Sequence, residues 1–205
     1  YEKEGFEADD VLGTLSLQAE KLDDVYTYIV TGDMDAIQLV SEKTFVYTPV
    51  KGIAETITYD IPKVIAKYGL TPKQIPELKG LKGDSSDNIK GVNGVGEKTA
   101  VTLLKKYGTI DNIYRHLDEI EGKLKEKLSI DKDSAFQSLH LATIVRDVPV
   151  ALDIDACISN EYDKEKIAVL FQEFEFKSLI PKLTDFNNHS DRTRAENSVD
   201  QQTLF

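Results

Sequence analysis

Cysteine is almost absent from this chain of 205 residues. Cys157 stands alone, which excludes an internal disulfide and fits a reducing compartment. Long hydrophobic runs are missing too, and none approaches the ~18 residues that a membrane-spanning helix needs. Tyr1 stands where an initiator Met is expected, and neither a charged leader nor an apolar signal core follows it. The expectation is a cytoplasmic fragment whose true beginning lies upstream. Internal repeats and low-complexity blocks are lacking. Basic residues are in deficit, 25 against 36 acids, for a net charge of −11. Taken as a total, that argues against a nucleic-acid partner, because phosphate is held by Lys and Arg. The chain is 40% hydrophobic, enough to bury a core as one domain or as a domain with a smaller lobe.

The distribution of charge changes this picture. Between Lys79 and Lys106 there are six lysines (79, 82, 90, 98, 105 and 106) against Asp84, Asp87 and Glu97, a local balance of +3. A basic island in an acidic chain is the pattern expected where one face meets phosphate and another holds a cation.

Periodicity divides the chain into an α/β half and an all-helical half. EADDVLGTLSLQAEKL (7–22) spaces Val11, Leu12, Leu15, Ala19 and Leu22 as one apolar helix face, with acids in its first turn. VYTYIVTGD (25–33) has the β-branched and aromatic profile of a buried strand ending in a polar loop. TFVYTP and ETITYD read as a pair of short strands, in a hairpin or at a sheet edge. From DIPKVIAKYGL (60–70) onward, helical spacing dominates, punctuated by Gly and Pro. After Asn187 the chain becomes polar and aperiodic, and reads as a disordered tail.

Seven carboxylates lie at positions that an α/β layer can bring to one edge. Glu7, Asp9 and Asp10 begin a helix, Asp33 and Asp35 follow a strand, and Asp84 and Asp87 sit on a glycine-bracketed turn. Each group alone has a plainer reading, as helix-dipole partner, cap or turn former. Together, with no His or Cys among them, they favour a hard, oxygen-preferring ion such as Mg²⁺ or Mn²⁺. Neutralising these seven would bring the net charge from −11 to −4. The adjoining GVNGVGEKTA (91–100) is a glycine-rich approach to a helix, a weak signal by itself.

GFEADDVLGTLS, VTGDMDAIQLV, GLKGDSSDNIKGVNGVGEKTA and LLKKYGTIDNIY occur in the order in which similar motifs occur in the 5′ nuclease domain of bacterial DNA polymerase I. The resemblance, to the wider flap endonuclease family, runs from about residue 4 to about residue 185. It implies a PIN-like, Rossmann-like sheet-and-helix nuclease core (1–78), an all-helical lobe with a helix-three-turn-helix DNA-binding element (79–185) and a tail or linker (186–205). It also implies a bacterial, cytoplasmic, metal-dependent 5′–3′ exonuclease or flap endonuclease acting on DNA flaps, nicked junctions and RNA primers in replication and repair. Glu7, Asp9, Asp10, Asp33, Asp35, Asp84 and Asp87 match the family's acids, which hold two divalent ions. Lys90, Gly94, Gly96, Lys98 and Thr99 fall on its duplex-gripping element, where related loops also bind K⁺.

The family's first strand, a further carboxylate and a basic arch precede these motifs and are not in this sequence. Weak cutting by the chain alone is therefore expected, and a non-catalytic duplex-binding module or clamp-tethered adaptor is the alternative. A polymerase domain in the same or another chain is a further implied partner. The terminal QQTLF is similar to peptides that bind sliding clamps, with Gln201, Leu204 and Phe205 as the contacts; a chance pair of apolar residues in a linker is the other reading.

Overall fold

The computed structural model describes residues 1–51, 55–158 and 163–183. The chain forms two compact units, Tyr1–Leu152 and Asp153–Phe205. Among the described residues of the first unit, helix α1 (Ala8–Ala19) precedes strand β1 (Thr27–Val30) and a 3₁₀ turn (Met34–Leu39). Strands β2 (Thr44–Lys51) and β3 (Glu55–Tyr59) come next. β1 pairs parallel to β2, Thr27 opposite Thr44, and β2 pairs antiparallel to β3, Val46 opposite Tyr59. The two strands read from TFVYTP and ETITYD are thus neighbours in one sheet of order β1-β2-β3.

Helix α2 (Ile61–Tyr68) shows its local causes plainly. The Asp60 carboxylate accepts the Lys63 N–H at 2.8 Å, Pro62 stands in the first turn, and Gly69 ends the helix at φ +69°. Helices α3 (Ile75–Lys82), α4 (Glu97–Tyr107), α5 (Ile110–Arg115), α6 (Gly122–Ile130) and α7 (Lys132–Ala142) complete the unit. In the second unit, α8 (Lys164–Glu173) is capped by Asp163, which accepts the Lys166 N–H at 3.0 Å.

Two apolar cores meet at α3. Ile29, Ile37, Leu39, Val46, Val64 and Ile75 pack beneath the sheet, while Leu78, Leu81, Leu104, Ile110, Ile113 and Leu128 pack among the helices. Ile75 belongs to the first group and Leu78 and Leu81 to the second, so this two-turn helix is fixed from both sides. Glu77 adds a polar tie: its carboxylate accepts the Ile110 N–H at 2.8 Å at the start of α5. Burial raises its carboxyl pKa above the ordinary 4.5, although that hydrogen bond works in the opposite direction.

Removing this acceptor leaves an N–H at a half-buried helix start, so Glu77→Ala should destabilise the chain by about 1–2 kcal/mol. Glu77→Gln keeps an acceptor and should cost little. Because the folded chain holds this proton to higher pH than the unfolded chain, ionisation subtracts stability as pH rises above 4.5. Urea denaturation from pH 4 to 7 checks both points, since the Gln variant should lose that part of the pH dependence.

Two sequence expectations are corrected. The stretch 25–33 does not form a buried strand: Ile29 is buried, but Tyr26, Tyr28 and Val30 are exposed, with Tyr28 stacked on Phe45 at 5.1 Å. β1 has one strand neighbour among the described residues, which leaves one edge and one face without cover. The apolar face expected on α1 is also displaced. Leu12 and Leu22 are exposed, whereas Gly13, Thr14 and Ser16 are buried with Val11 and Ala19. The reason is an irregular segment, 144–152, whose backbone requires polar partners. Val148 N–H donates to the Thr14 hydroxyl at 3.1 Å, Leu152 N–H to Gln18 Oε1 at 2.7 Å, and Gln18 Nε2 to the Val150 carbonyl at 2.8 Å.

Candidate functional site

Three backbone devices carry the acids to one place. At the start of α1, the Glu7 N–H donates to Asp10 Oδ2 at 3.1 Å, while Asp10 Oδ1 accepts the Val145 N–H at 2.9 Å. Both Asp10 oxygens thus brace backbone. After β1, Asp33 caps the 3₁₀ turn by accepting the Asp35 N–H at 2.9 Å, which fixes Asp35 in its first turn. After α3, the chain turns at Gly83, and Asp84 and Ile89 exchange two backbone hydrogen bonds of 2.8 Å. That closed loop presents Asp84 and Asp87.

Two adjoining clefts collect all seven acids. A cleft of about 490 Å³ is lined by Glu7, Asp9, Asp10, Asp33, Asp35 and Asp87. The other, about 580 Å³, is lined by Asp33, Asp35, Asp84 and Asp87 together with Lys79 and Lys82. One oxygen each from Asp35, Asp84 and Asp87 lies within 4.8 Å of the others. The three converging groups are carboxylates, a set that suits a hard divalent cation, and His140 lines the first cleft beside them.

Electrostatics distinguish the acids. Burial raises the Asp9 carboxyl above its usual range, and Asp33, Asp35, Glu7 and Asp10 add to the effect as like charges. Asp35 is also raised by burial, against the opposing hydrogen bond from Lys79. At Asp84 burial pulls the same way but loses: the bonds from Lys79 and from the Ser86 hydroxyl and N–H hold this carboxyl down at about 2. Asp35 and Asp84, both bonded to Lys79, therefore move in opposite directions. Asp84 has the extra donors of Ser86, whereas Asp35 faces Asp33 and Asp87.

Lys79 is the residue that motif reading missed. The motifs mark it only as one lysine in a basic island, yet it is a mere 8% exposed and pairs with Asp35, with Asp84 Oδ2 at 2.6 Å and with Asp87 Oδ2 at 3.7 Å. Its place five residues before Asp84, among the apolar positions of α3, was the available signal.

The glycine loop leaves the same turn. Val92 N–H donates to the Leu81 carbonyl at 2.8 Å, and α6 and α7 brace the loop on either side of that bond. Gly91 N–H donates to the Ser138 hydroxyl at 3.0 Å, the Ser134 hydroxyl donates to the Gly91 carbonyl at 2.7 Å, and Asn93 N–H donates to Asp131 Oδ2 at 2.8 Å. Lys127 Nζ donates to the Gly94 carbonyl at 2.9 Å. No sequence motif announced these four side chains. Gly94, at φ +72°, and Gly96 are exposed, and Gly96 is the N-cap of α4 without a side-chain cap bond. Lys98 and Thr99 occupy the first turn of α4 and line a shallow groove with Thr102, Leu103 and Leu124. Lys90 is exposed between the acidic turn and this loop. The terminal contacts proposed for Gln201, Leu204 and Phe205 lie outside the described residues.

Residues 1–69 match the family model of the 5′–3′ exonuclease N-terminal resolvase-like domain, and residues 70–165 match that of the 5′–3′ exonuclease C-terminal SAM fold. The chain belongs to the 5′–3′ exonuclease family. DNA polymerase I of Bacillus caldotenax is 44% identical to it over 197 residues, covering 96% of this chain and 22% of that protein. DNA polymerase I of Geobacillus stearothermophilus is 47% identical over 184 residues, covering 89% and 21%. This exonuclease-family chain thus spans about a fifth of the length of these relatives. The flap endonuclease of bacteriophage T5, solved as a pseudo-enzyme–product complex with DNA and metal ions, shares the fold. Its TM-score is 0.61 at 20% identity, covering 90% of this chain and 62% of that one. The expected nuclease architecture, a resolvase-like α/β layer with a helical SAM-like part, is therefore the fold of this chain. Among the described residues no helix is long and apolar enough to cross a membrane.

Proposed function

We propose that the chain is the metal-binding and duplex-gripping part of a structure-specific 5′ nuclease. It would hydrolyse phosphodiesters of DNA flaps and RNA primers where single and double strands meet, in bacterial cytoplasmic replication and repair. The observation that carries this reading is the convergence of carboxylates from three sequence-distant segments beside a glycine loop that leaves the same turn. The phage T5 complex with DNA and metal ions supports it through the shared fold.

Asp35, Asp84 and Asp87 would hold one Mg²⁺ or Mn²⁺, and Glu7, Asp9, Asp10 and Asp33 would contribute to a second. Two such ions supply activation of water and stabilisation of the leaving oxygen in phosphoryl transfer. The residues of the chain would orient the substrate: the exposed Gly94 and Gly96 and the uncapped start of α4 would face a backbone phosphate. Lys98 and Thr99 in the same turn and Lys90 before it add charge and hydrogen bonds. Such contacts position a duplex without reading its sequence, which suits selection by junction shape. Loop carbonyls would accept K⁺, although those of Gly91 and Gly94 already accept from Ser134 and from Lys127. In this reading residues 1–78 form the catalytic layer, 79–185 the DNA-binding lobe, and 186–205 a tether by which Gln201, Leu204 and Phe205 reach a sliding clamp.

The test is cleavage of an end-labelled 5′ flap with Mg²⁺ and with EDTA, together with duplex affinity across a salt series. Metal-dependent product at the junction is the expected result; duplex binding without metal-dependent cutting in a polypeptide that carries the whole family domain would favour a binding module. Lys98→Ala should weaken duplex binding and lower the slope of log affinity against log salt by about one, the loss of one phosphate contact. An unchanged slope would mean that this turn faces away from DNA.

A further inference from the structure

We propose that Lys79 is a built-in counter-cation, whose ammonium holds Asp35, Asp84 and Asp87 together until a divalent ion takes these carboxylates over. The inference rests on the metal-dependent reading of the cluster. Its first support is the helix that carries Lys79. α3 is anchored in both apolar cores, with Leu78, Gly80 and Leu81 buried on either side of Lys79, so the stem of the side chain is held and its head has a defined reach. At Gly80 a Cβ would already lie 3.0 Å from Leu139 Cβ and 3.2 Å from its Cα, so α7 leaves α3 no room to retreat.

The second support is the match of groups. An ammonium has three donors, and three carboxylates converge on this one. Without a cation these like charges would face one another across two adjoining clefts that also contain Asp33 and, in one of them, Asp9. The third support is exclusion. A divalent ion held by Asp35, Asp84 and Asp87 would take the same oxygens that now face the ammonium. The Lys79 Nζ, 2.6 Å from Asp84 Oδ2, would then stand against a doubly charged neighbour at close range. The two cations compete for the oxygens; the anchored helix fixes only the root of the Lys79 side chain, and rotation about its outer bonds lets the ammonium withdraw. This exchange has two consequences. The metal-free chain keeps its cluster assembled, and every ion that binds must first displace the ammonium, which raises the concentration of metal needed.

Lys79→Met removes the charge and keeps the stem, and Lys79→Gln serves if the first variant does not fold by circular dichroism. Both are made in the 205-residue chain and compared with the unaltered chain by thermal unfolding in EDTA and by calorimetric titration with Mn²⁺. The expected result is a melting temperature lower by roughly 5 °C in EDTA. Mn²⁺ should bind about ten-fold more tightly, because the competing charge is gone. An unchanged melting temperature in EDTA overturns the proposal whatever the ion does. Equal Mn²⁺ affinity overturns the exchange alone, and weaker affinity makes Lys79 a support of the ion and not its rival. If Mn²⁺ at millimolar concentration binds neither chain, the metal reading of the cluster falls and the exchange falls with it.

Discussion

In a polypeptide that carries the whole family domain, Asp84→Asn is expected to reduce metal-dependent cleavage by roughly a thousand-fold, since an activating ion supplies several kcal/mol and each ~1.4 kcal/mol is a factor of ten in rate. The substitution keeps the shape of the side chain and changes its chemistry. Asp84 Oδ1 accepts from the Ser86 N–H at 3.0 Å, a bond that an amide oxygen can retain. Oδ2 meets Lys79 Nζ at 2.6 Å, and an amide NH₂ turned that way sets donor against donor. Asp84 is also held down at about 2, so it offers a full negative charge at any working pH and no neutral substitute replaces that. Duplex binding should persist, because the glycine loop is braced by Lys127, Asp131, Ser134 and Ser138, none of which touches Asp84. Single-turnover cleavage of a 5′ flap, measured beside duplex affinity at the same salt and Mn²⁺ titration, checks all three statements. A near-normal rate would remove Asp84 from the proposed ligand set.

How much of this was legible in the sequence depends on the range over which each feature is decided. α2 was legible because Asp60, Pro62 and Gly69 are local punctuation, and β2 with β3 because their residues have no competing helical period. The family motifs brought the acids and the glycine loop into view together. What stayed hidden is decided by long-range backbone demands. The buried face of α1 is set by the 144–152 segment, more than a hundred residues away, which draws Thr14 and Gln18 inward for their polar groups and leaves Leu12 outside. Asp10 reads as one more acid until its pairing with the Val145 N–H is seen. Lys79 is hidden for a different reason: composition counts it as a basic surface residue, and only the position of α3 between two cores turns it inward. Charge arithmetic shows that a cluster needs cations without showing that one of them is covalently part of the chain.

Gly91→Ala is expected to destabilise the chain by more than about 3 kcal/mol, near the upper end of single-substitution effects. The cause is a crossing of two backbones. A Cβ at Gly91 would run into the Gly83 nitrogen and lie 2.7 Å from the Leu81 carbonyl oxygen, and neither is a side chain that can move aside. Gly91 also holds φ at +66°, a conformation that costs an L-residue about 1–2 kcal/mol before any contact is counted. Gly83 is its counterpart at φ +77°, where a Cβ would meet the Ile89 and Lys90 carbonyls at 2.7 and 2.6 Å. This crossing closes the 83–91 loop and lets Val92 bond to Leu81, so it fixes the acidic turn on one side and the start of the glycine loop on the other. Forcing it open should therefore weaken Mn²⁺ binding and duplex binding together, the opposite of the separation expected for Asp84→Asn. Gly96→Ala is the matched control: its φ is −90°, nothing lies within 4 Å of its Cβ, and its cost should stay within about 1 kcal/mol, the value of an N-cap. Urea denaturation of both variants, combined with the two titrations at a temperature where each is folded, distinguishes the cases. Near-normal stability of Gly91→Ala would mean that the crossing has slack, and the shared dependence of the two halves of the site on it would then fail.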